Sequence, residues 1–101
     1  MKTKAPEKWS LRLYVAGMTP ATHGAIENLE RILGQHLGRG FSLEVVDLVE
    51  HPALAEREQI LATPTLVRSS PAPLRKIVGD FSNTEKVLSG LDLHPETHRN
   101  L

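Results

Sequence analysis

The side chains able to do chemistry here are few, and their spacing is mostly wrong for it. Thr19 is the only nucleophile placed to exploit a helix N-terminus, in the run Gly17-Met18-Thr19-Pro20. A redox enzyme would need a cysteine there, where the helix dipole lowers a thiol pKa. The chain has no cysteine at all, which excludes disulfides, thiol catalysis and cysteine-based metal sites. Neither Met18 nor Thr19 can form a mixed disulfide.

The five histidines, His23, His36, His51, His94 and His98, are scattered. His94 and His98 have the i, i+4 spacing of a helical metal pair, but Pro95 disfavours a helix there and no third ligand lies nearby. The expected reading is a solvated tail and no metal site. Gly38-Arg39-Gly40 reads as a turn with no phosphate cradle, and neither G-x-S-x-G nor a dinucleotide fingerprint occurs. Arg68, Arg75 and Lys76 could form a small basic patch, against the commoner reading of a solvated hairpin face. Trp9 and Tyr14 are expected to pack and not to stack on a ligand. No cofactor is implied.

The elements that must carry these residues follow from pattern. Trp9 to Ala16 is rich in strand formers and partly alternating. Thr19 as N-cap and Pro20 at the first helical position then open a helix. Its buried face is Ile26, Leu29, Leu33 and Leu37, flanked by Ala25 and Ile32, and Gly38 to Gly40 stops it. Phe41 to Val49 is a second strand, so that strand, helix and strand make a parallel, right-handed βαβ unit. Pro52 opens a second helix over Ala53 to Leu61, with Leu54, Ile60 and Leu61 inward.

Thr63-Pro64 leads into a third strand at Thr65 to Arg68. By base rate about one X-Pro bond in twenty is cis, and the position of Pro64 before a strand raises that expectation for this bond to about even or better. A tight turn over Ser69 to Pro73 gives a fourth strand at Leu74 to Val78, antiparallel to the third. Ser82 and Glu85 read as a capping box before a last helix that turns Val87, Leu88 and Leu91 inward. The order β-α-β-α-β-β-α with a mixed four-stranded sheet and helices on both faces is the thioredoxin-like α/β arrangement, whose signature proline precedes the third strand.

Bulk properties agree with one domain. The chain has 101 residues, of which 40% are apolar, and twelve basic and twelve acidic side chains give no net charge. A nucleic-acid binder is more often clearly basic, and no apolar run approaches the roughly 20 residues that cross a bilayer. A neutral surface opposes self-association weakly. The two early lysines precede no apolar run, so no signal peptide is expected and the expected address is the cytoplasm. The expected domain covers 10–93, between a loose start, 1–9, and a loose tail, 94–101.

Four segments carry a family resemblance: Leu13-Tyr14-Val15-Ala16-Gly17-x-Thr19-Pro20, Ile60-Leu61-Ala62-Thr63-Pro64-Thr65-Leu66, Gly79-Asp80-x-Ser82-Asn83 and Gly90-Leu91-Asp92-Leu93. In this order and spacing, from about Ser10 to Leu93, the chain resembles the KaiB circadian-clock family. The resemblance implies a non-enzymatic regulator that binds a hexameric KaiC-type ATPase and modulates its cycle. In full clocks it also implies recruitment of KaiA and competition with a sensor kinase that carries a KaiB-like domain.

It further implies two folds, one thioredoxin-like and monomeric, the other β-α-β-β-α-α-β and tetrameric, sharing Ser10 to about Val49. Two packings of one sequence can coexist when they differ by a few kcal/mol. Thr63, Pro64, Pro71, Pro73, Gly90 and Asp92 are the candidate residues for that choice. Pro71-Ala72-Pro73 stands where the family commonly has three prolines, and Ser69-Ser70 replaces more apolar residues, which leans this chain towards the thioredoxin-like form. The acidic tail common in clock versions is absent.

For partner contacts, the strand from Phe41, with Leu43 and Val45, is expected at a sheet edge open to β-augmentation, and Glu56 and Gln59 are candidates for the ATPase contact. The competing readings are a KaiB homologue serving stress or timing through KaiC without KaiA, and a glutathione-binding enzyme using Thr19.

Overall fold

The structure, a computed structural model, describes residues 8–93. Strand β1 spans Trp9–Val15, helix α1 Pro20–Leu37, β2 Phe41–Asp47, α2 Ala53–Arg57, β3 Thr65–Ser70, β4 Arg75–Val78 and α3 Thr84–Gly90. The sheet order is β2-β1-β3-β4. β1 and β2 run parallel, whereas β1–β3 and β3–β4 are antiparallel. This is the expected mixed sheet, with β2 and β4 at its edges.

Alternation along β1 builds two cores. Leu11, Leu13 and Val15 face α1 and α3, meeting Leu29, Ile32, Leu33, Leu66, Val87 and Leu91. Tyr14 faces the other way, with Val46, Ile60 and Val67, against Leu48 and Leu54. Leu13, Leu29, Leu33 and Leu66 are fully buried, each worth about 1.5–3 kcal/mol relative to exposure. The larger core therefore supplies most of the stability.

The start of α1 forms as expected. The Thr19 hydroxyl accepts from the Thr22 amide at 3.2 Å, and the Thr22 hydroxyl donates to the Gly17 carbonyl at 2.8 Å. Pro20 needs no donor at this position. The buried stripe is Thr22, Ala25, Leu29, Ile32 and Leu33, with Ile26 and Leu37 only partly covered. Gly38 ends the helix at φ 59°.

Several expectations need correction. Helix α2 stops at Arg57 rather than Leu61, because Gln59 adopts φ 57° and the Ile60 amide turns back to the Ala55 carbonyl at 2.7 Å. Ile60 is thereby buried, but Leu61 is 97% exposed instead of inward. Strand β2 ends at Asp47, whose Oδ1 accepts from the Val49 amide at 2.9 Å and bends the chain out of the ladder. Strand β3 continues to Ser70, which pairs with Ser10 across a register shift.

At α3 the N-cap is Asn83, whose side chain accepts from the Lys86 amide at 3.1 Å. Ser82 instead donates its amide and hydroxyl to Asp80. Arg68 is no part of a solvated hairpin face: it is 3% exposed, inside the molecule. His94 and His98, like the expected tail and the first seven residues, lie outside the described residues.

Candidate partner-binding surface

The position where a thioredoxin-like enzyme keeps its nucleophile is occupied here by structural hydrogen bonds. The Thr19 hydroxyl is held by both the amide and the hydroxyl of Thr22, at 3.2 Å each. Beside it lies a hollow of about 210 Å³ lined by Thr19, Thr22, Thr63, Pro64 and Asp80 among others. The Thr63-Pro64 bond is cis, as are Ser70-Pro71 and Ala72-Pro73. The Thr65 hydroxyl donates to the Ala62 carbonyl at 2.6 Å and anchors the Pro64 corner to the start of β3.

Asp80, at the rim, is exposed, and its carboxyl pKa is lowered by the hydrogen bonds from the Ser82 amide and hydroxyl. The hollow thus contains hydroxyls, a carboxylate and an apolar floor, with no base within hydrogen-bonding reach of Thr19 among the described residues. It has the shape of a thioredoxin-like site but cannot perform that chemistry.

The candidate partner residues separate into two regions. Phe41, Leu43 and Val45 stand on the edge strand β2. Phe41 and Leu43 are half-buried against the larger core, whereas Val45 is exposed. Only Val45 of the three therefore offers an open apolar side chain, although the whole strand offers an unpaired backbone edge. A groove of about 480 Å³ lies between this edge and α2, lined by Arg12, Glu44, Val45, Asp47, Glu50 and His51 among others. Arg12 pairs with Glu44 at 3.1 Å across it. The Arg12 pKa is raised, first by the hydrogen bond to the Tyr14 hydroxyl and then by Tyr14 and Glu44 charge interactions.

Glu56 and Gln59 are exposed at the other end of the sheet, where α2 meets β4. Together with Ala55, Ile60, Leu61 and Lys76 they line an open concavity of about 600 Å³. Lys76 fixes it: its Nζ donates to the Glu58 and Gln59 carbonyls at 2.9 and 3.3 Å, satisfying acceptors at the end of α2. Leu61 and Val78, 97% and 61% exposed, leave apolar surface uncovered on this side. Neither the exposure of Leu61 nor the clamp of Lys76 is legible in the sequence: the apolar spacing places Leu61 inward on a helix that extends to it, and nothing in the local pattern marks Lys76 as a donor to α2.

Gly90 and Asp92 sit where α3 closes on β4. A Cβ on Gly90 would approach Ile77 Cδ1 to 2.7 Å, so glycine lets the helix lie close to the strand. Asp92 adopts φ 58° and lies 3.8 Å from the Arg75 guanidinium. Pro73 is brought into the same neighbourhood, because its carbonyl accepts from Arg68 at 2.8 Å. Among the described residues no group of three or more metal-ligating side chains occurs, and no helix is long and apolar enough to cross a membrane.

Comparison with known proteins places these features in context. A family model described as the KaiB domain matches residues 12–93. The chain is 49% identical over 86 residues to circadian clock protein KaiB3 of Synechocystis sp., covering 85% of this chain and 84% of that protein. It is 49% identical over 90 residues to the circadian clock oscillator protein KaiB of Nostoc punctiforme, covering 89% and 86%.

In three dimensions it is similar to the N-terminal domain of Synechococcus elongatus SasA. The TM-score is 0.74 at 20% identity, over 100% of this chain and 94% of that one. Mitochondrial thioredoxin 3 of Saccharomyces cerevisiae superposes with a TM-score of 0.65 at 18% identity, covering 85% and 78%. At these identities the two structures speak for the fold.

Proposed function

The chain belongs to the KaiB family, and from that premise we propose that it is a non-enzymatic clock-type regulator that docks on a hexameric KaiC-type ATPase and modulates its cycle. The observation that carries the reading is the α2–β4 face. It combines a fully exposed leucine, Leu61, with exposed Val78, Glu56 and Gln59 on a backbone clamped by Lys76. Apolar side chains held out to solvent on a rigid frame are characteristic of protein interaction sites. The occupied Thr19 hydroxyl favours this reading over a glutathione-using enzyme.

The open β2 edge, with Val45 exposed, is proposed as a second docking surface, for a KaiA-type partner by strand addition. The likeness in fold to the SasA domain fits competition with a sensor kinase for the ATPase. The working form is proposed to be the thioredoxin-like monomer, acting in the cytoplasm.

Co-migration of the full chain with its cognate KaiC-type hexamer in the presence of nucleotide tests the docking. A complex is expected, and Leu61→Asp is expected to weaken it about tenfold or more, the range of an interface hot spot. Absence of a complex under all nucleotide conditions overturns the reading. An unchanged affinity for Leu61→Asp moves the contact off this face.

A further inference from the structure

Arg68 is the one buried cation of the described core, and its placement is unusual. Along β3, Leu66 joins the core under α1 and α3 and Val67 the core under α2, so strand alternation returns Arg68 to the α1/α3 side. There its Nη1 donates to the carbonyl of Leu91, the C-cap residue of α3, and its Nη2 to the carbonyl of Pro73 in the β3–β4 turn at 2.8 Å. The guanidinium lies 5.0 Å from the centroid of the Trp9 ring. Its Nε is buried with no hydrogen-bond partner. Burial lowers the Arg68 pKa, Arg75 adds to this, and Asp92 opposes it.

We infer that Arg68 is a latch that joins the β3–β4 turn and the C-terminal end of α3 into one opening unit. An arginine cannot shed its charge to relieve burial. Its position is tolerable only while two carbonyls and an aromatic face replace water around it. With one donor already unsatisfied, the site has nothing in reserve. If the turn moves and the Pro73 carbonyl leaves, the remaining contacts no longer compensate a dry guanidinium. Water then enters, and the Leu91 carbonyl loses its donor as well. The same holds in reverse when α3 lifts first. The two segments, nearly twenty residues apart in sequence, therefore open together. The Gly90–Ile77 approach and the Arg75–Asp92 pair lie within this unit, while β1, α1 and β2 lie outside it. This inference stands apart from the docking reading, because its test uses no partner.

Native-state amide hydrogen exchange on the full chain tests it, followed by NMR at several low urea concentrations. The β4 amides and those of Leu91 and Leu93 are expected to share one opening equilibrium, equal within about twofold. It should be about tenfold or more larger than that of Leu13 and Leu29. In Arg68→Lys, which keeps the charge but cannot span both carbonyls, both sets are expected to open further by the same factor, with β1 and α1 changed less than about twofold. A rise in one set without the other overturns the latch, and so does an equal rise in every element. If the variant does not fold, the wild-type exchange pattern decides: different openings for β4 and the α3 end refute the proposal.

Discussion

The amide of Ile60 donates to the carbonyl of Ala55 at 2.7 Å, while the intervening Gln59 sits at φ 57° and donates to Glu56 at 3.2 Å. This is a Schellman closure with glutamine where glycine is usual. Helix α3 ends in the same way: Leu93 donates to Leu88 at 2.8 Å and Asp92, at φ 58°, to Ser89 at 3.0 Å. A side chain in this conformation costs about 1–2 kcal/mol, less for Asp. Gln59→Gly is therefore expected to raise stability by about 0.5–1 kcal/mol, after glycine's greater freedom in the unfolded chain is offset. Asp92→Gly should gain less, because it removes the contact with Arg75, an exposed pair worth under about 1 kcal/mol. Urea denaturation with unchanged m-values checks both.

Thr19 is a cap in this structure, and its loss should behave as one. Thr19→Ala is expected to cost about 1 kcal/mol, and Thr19→Ser to restore most of it, because only the hydroxyl is needed to accept from Thr22. Calorimetry on the two variants separates these outcomes. Glutathione titrated into the wild-type chain should give no saturable heat, and a saturable signal lost in Thr19→Ala would revive the enzyme reading.

Asp47 couples the ends of the two parallel strands. One of its carboxylate oxygens accepts from the Gly17 and Val49 amides, both at 2.9 Å. Asp47→Ala leaves both donors to find water and is expected to cost about 1–3 kcal/mol. Chemical denaturation measures the loss, and NMR shifts at Gly17 and Val49 should locate it.

The carboxyl of Asp80 supplies a pH dependence. Its folded pKa is depressed by the Ser82 amide and hydroxyl, so the folded state binds its proton less readily than the unfolded chain. The contribution is present above the unfolded-state pKa and is lost as pH falls through the folded value. In Ser82→Ala, which removes the hydroxyl but keeps the amide, the NMR titration midpoint of Asp80 should move up towards the ordinary aspartate range without fully reaching it. An unchanged midpoint would mean that the hydroxyl contributes nothing.

What the sequence alone determined was local and periodic. The apolar spacing of β1 and α1, the Thr19-Pro20 helix start and the Pro64 corner follow from short-range geometry, and they appear in the structure at their expected places. The absence of cysteine excludes thiol redox chemistry from composition alone. The family could be read from four short segments for the same reason, because each is contiguous.

Tertiary structure decided what depends on residues far apart. Helix α2 ends early in the Gln59 closure, and Lys76, on a distant strand, then takes up the Glu58 and Gln59 carbonyls that this ending leaves free. That ending alone turns Leu61 outward and makes the α2–β4 face. Arg68, which reads from its neighbours as a hairpin cation, is buried because Trp9, Pro73 and Leu91 converge on it from three other segments. Charge and polarity predict exposure only when water is the best available partner, and here the folded backbone supplies a different one.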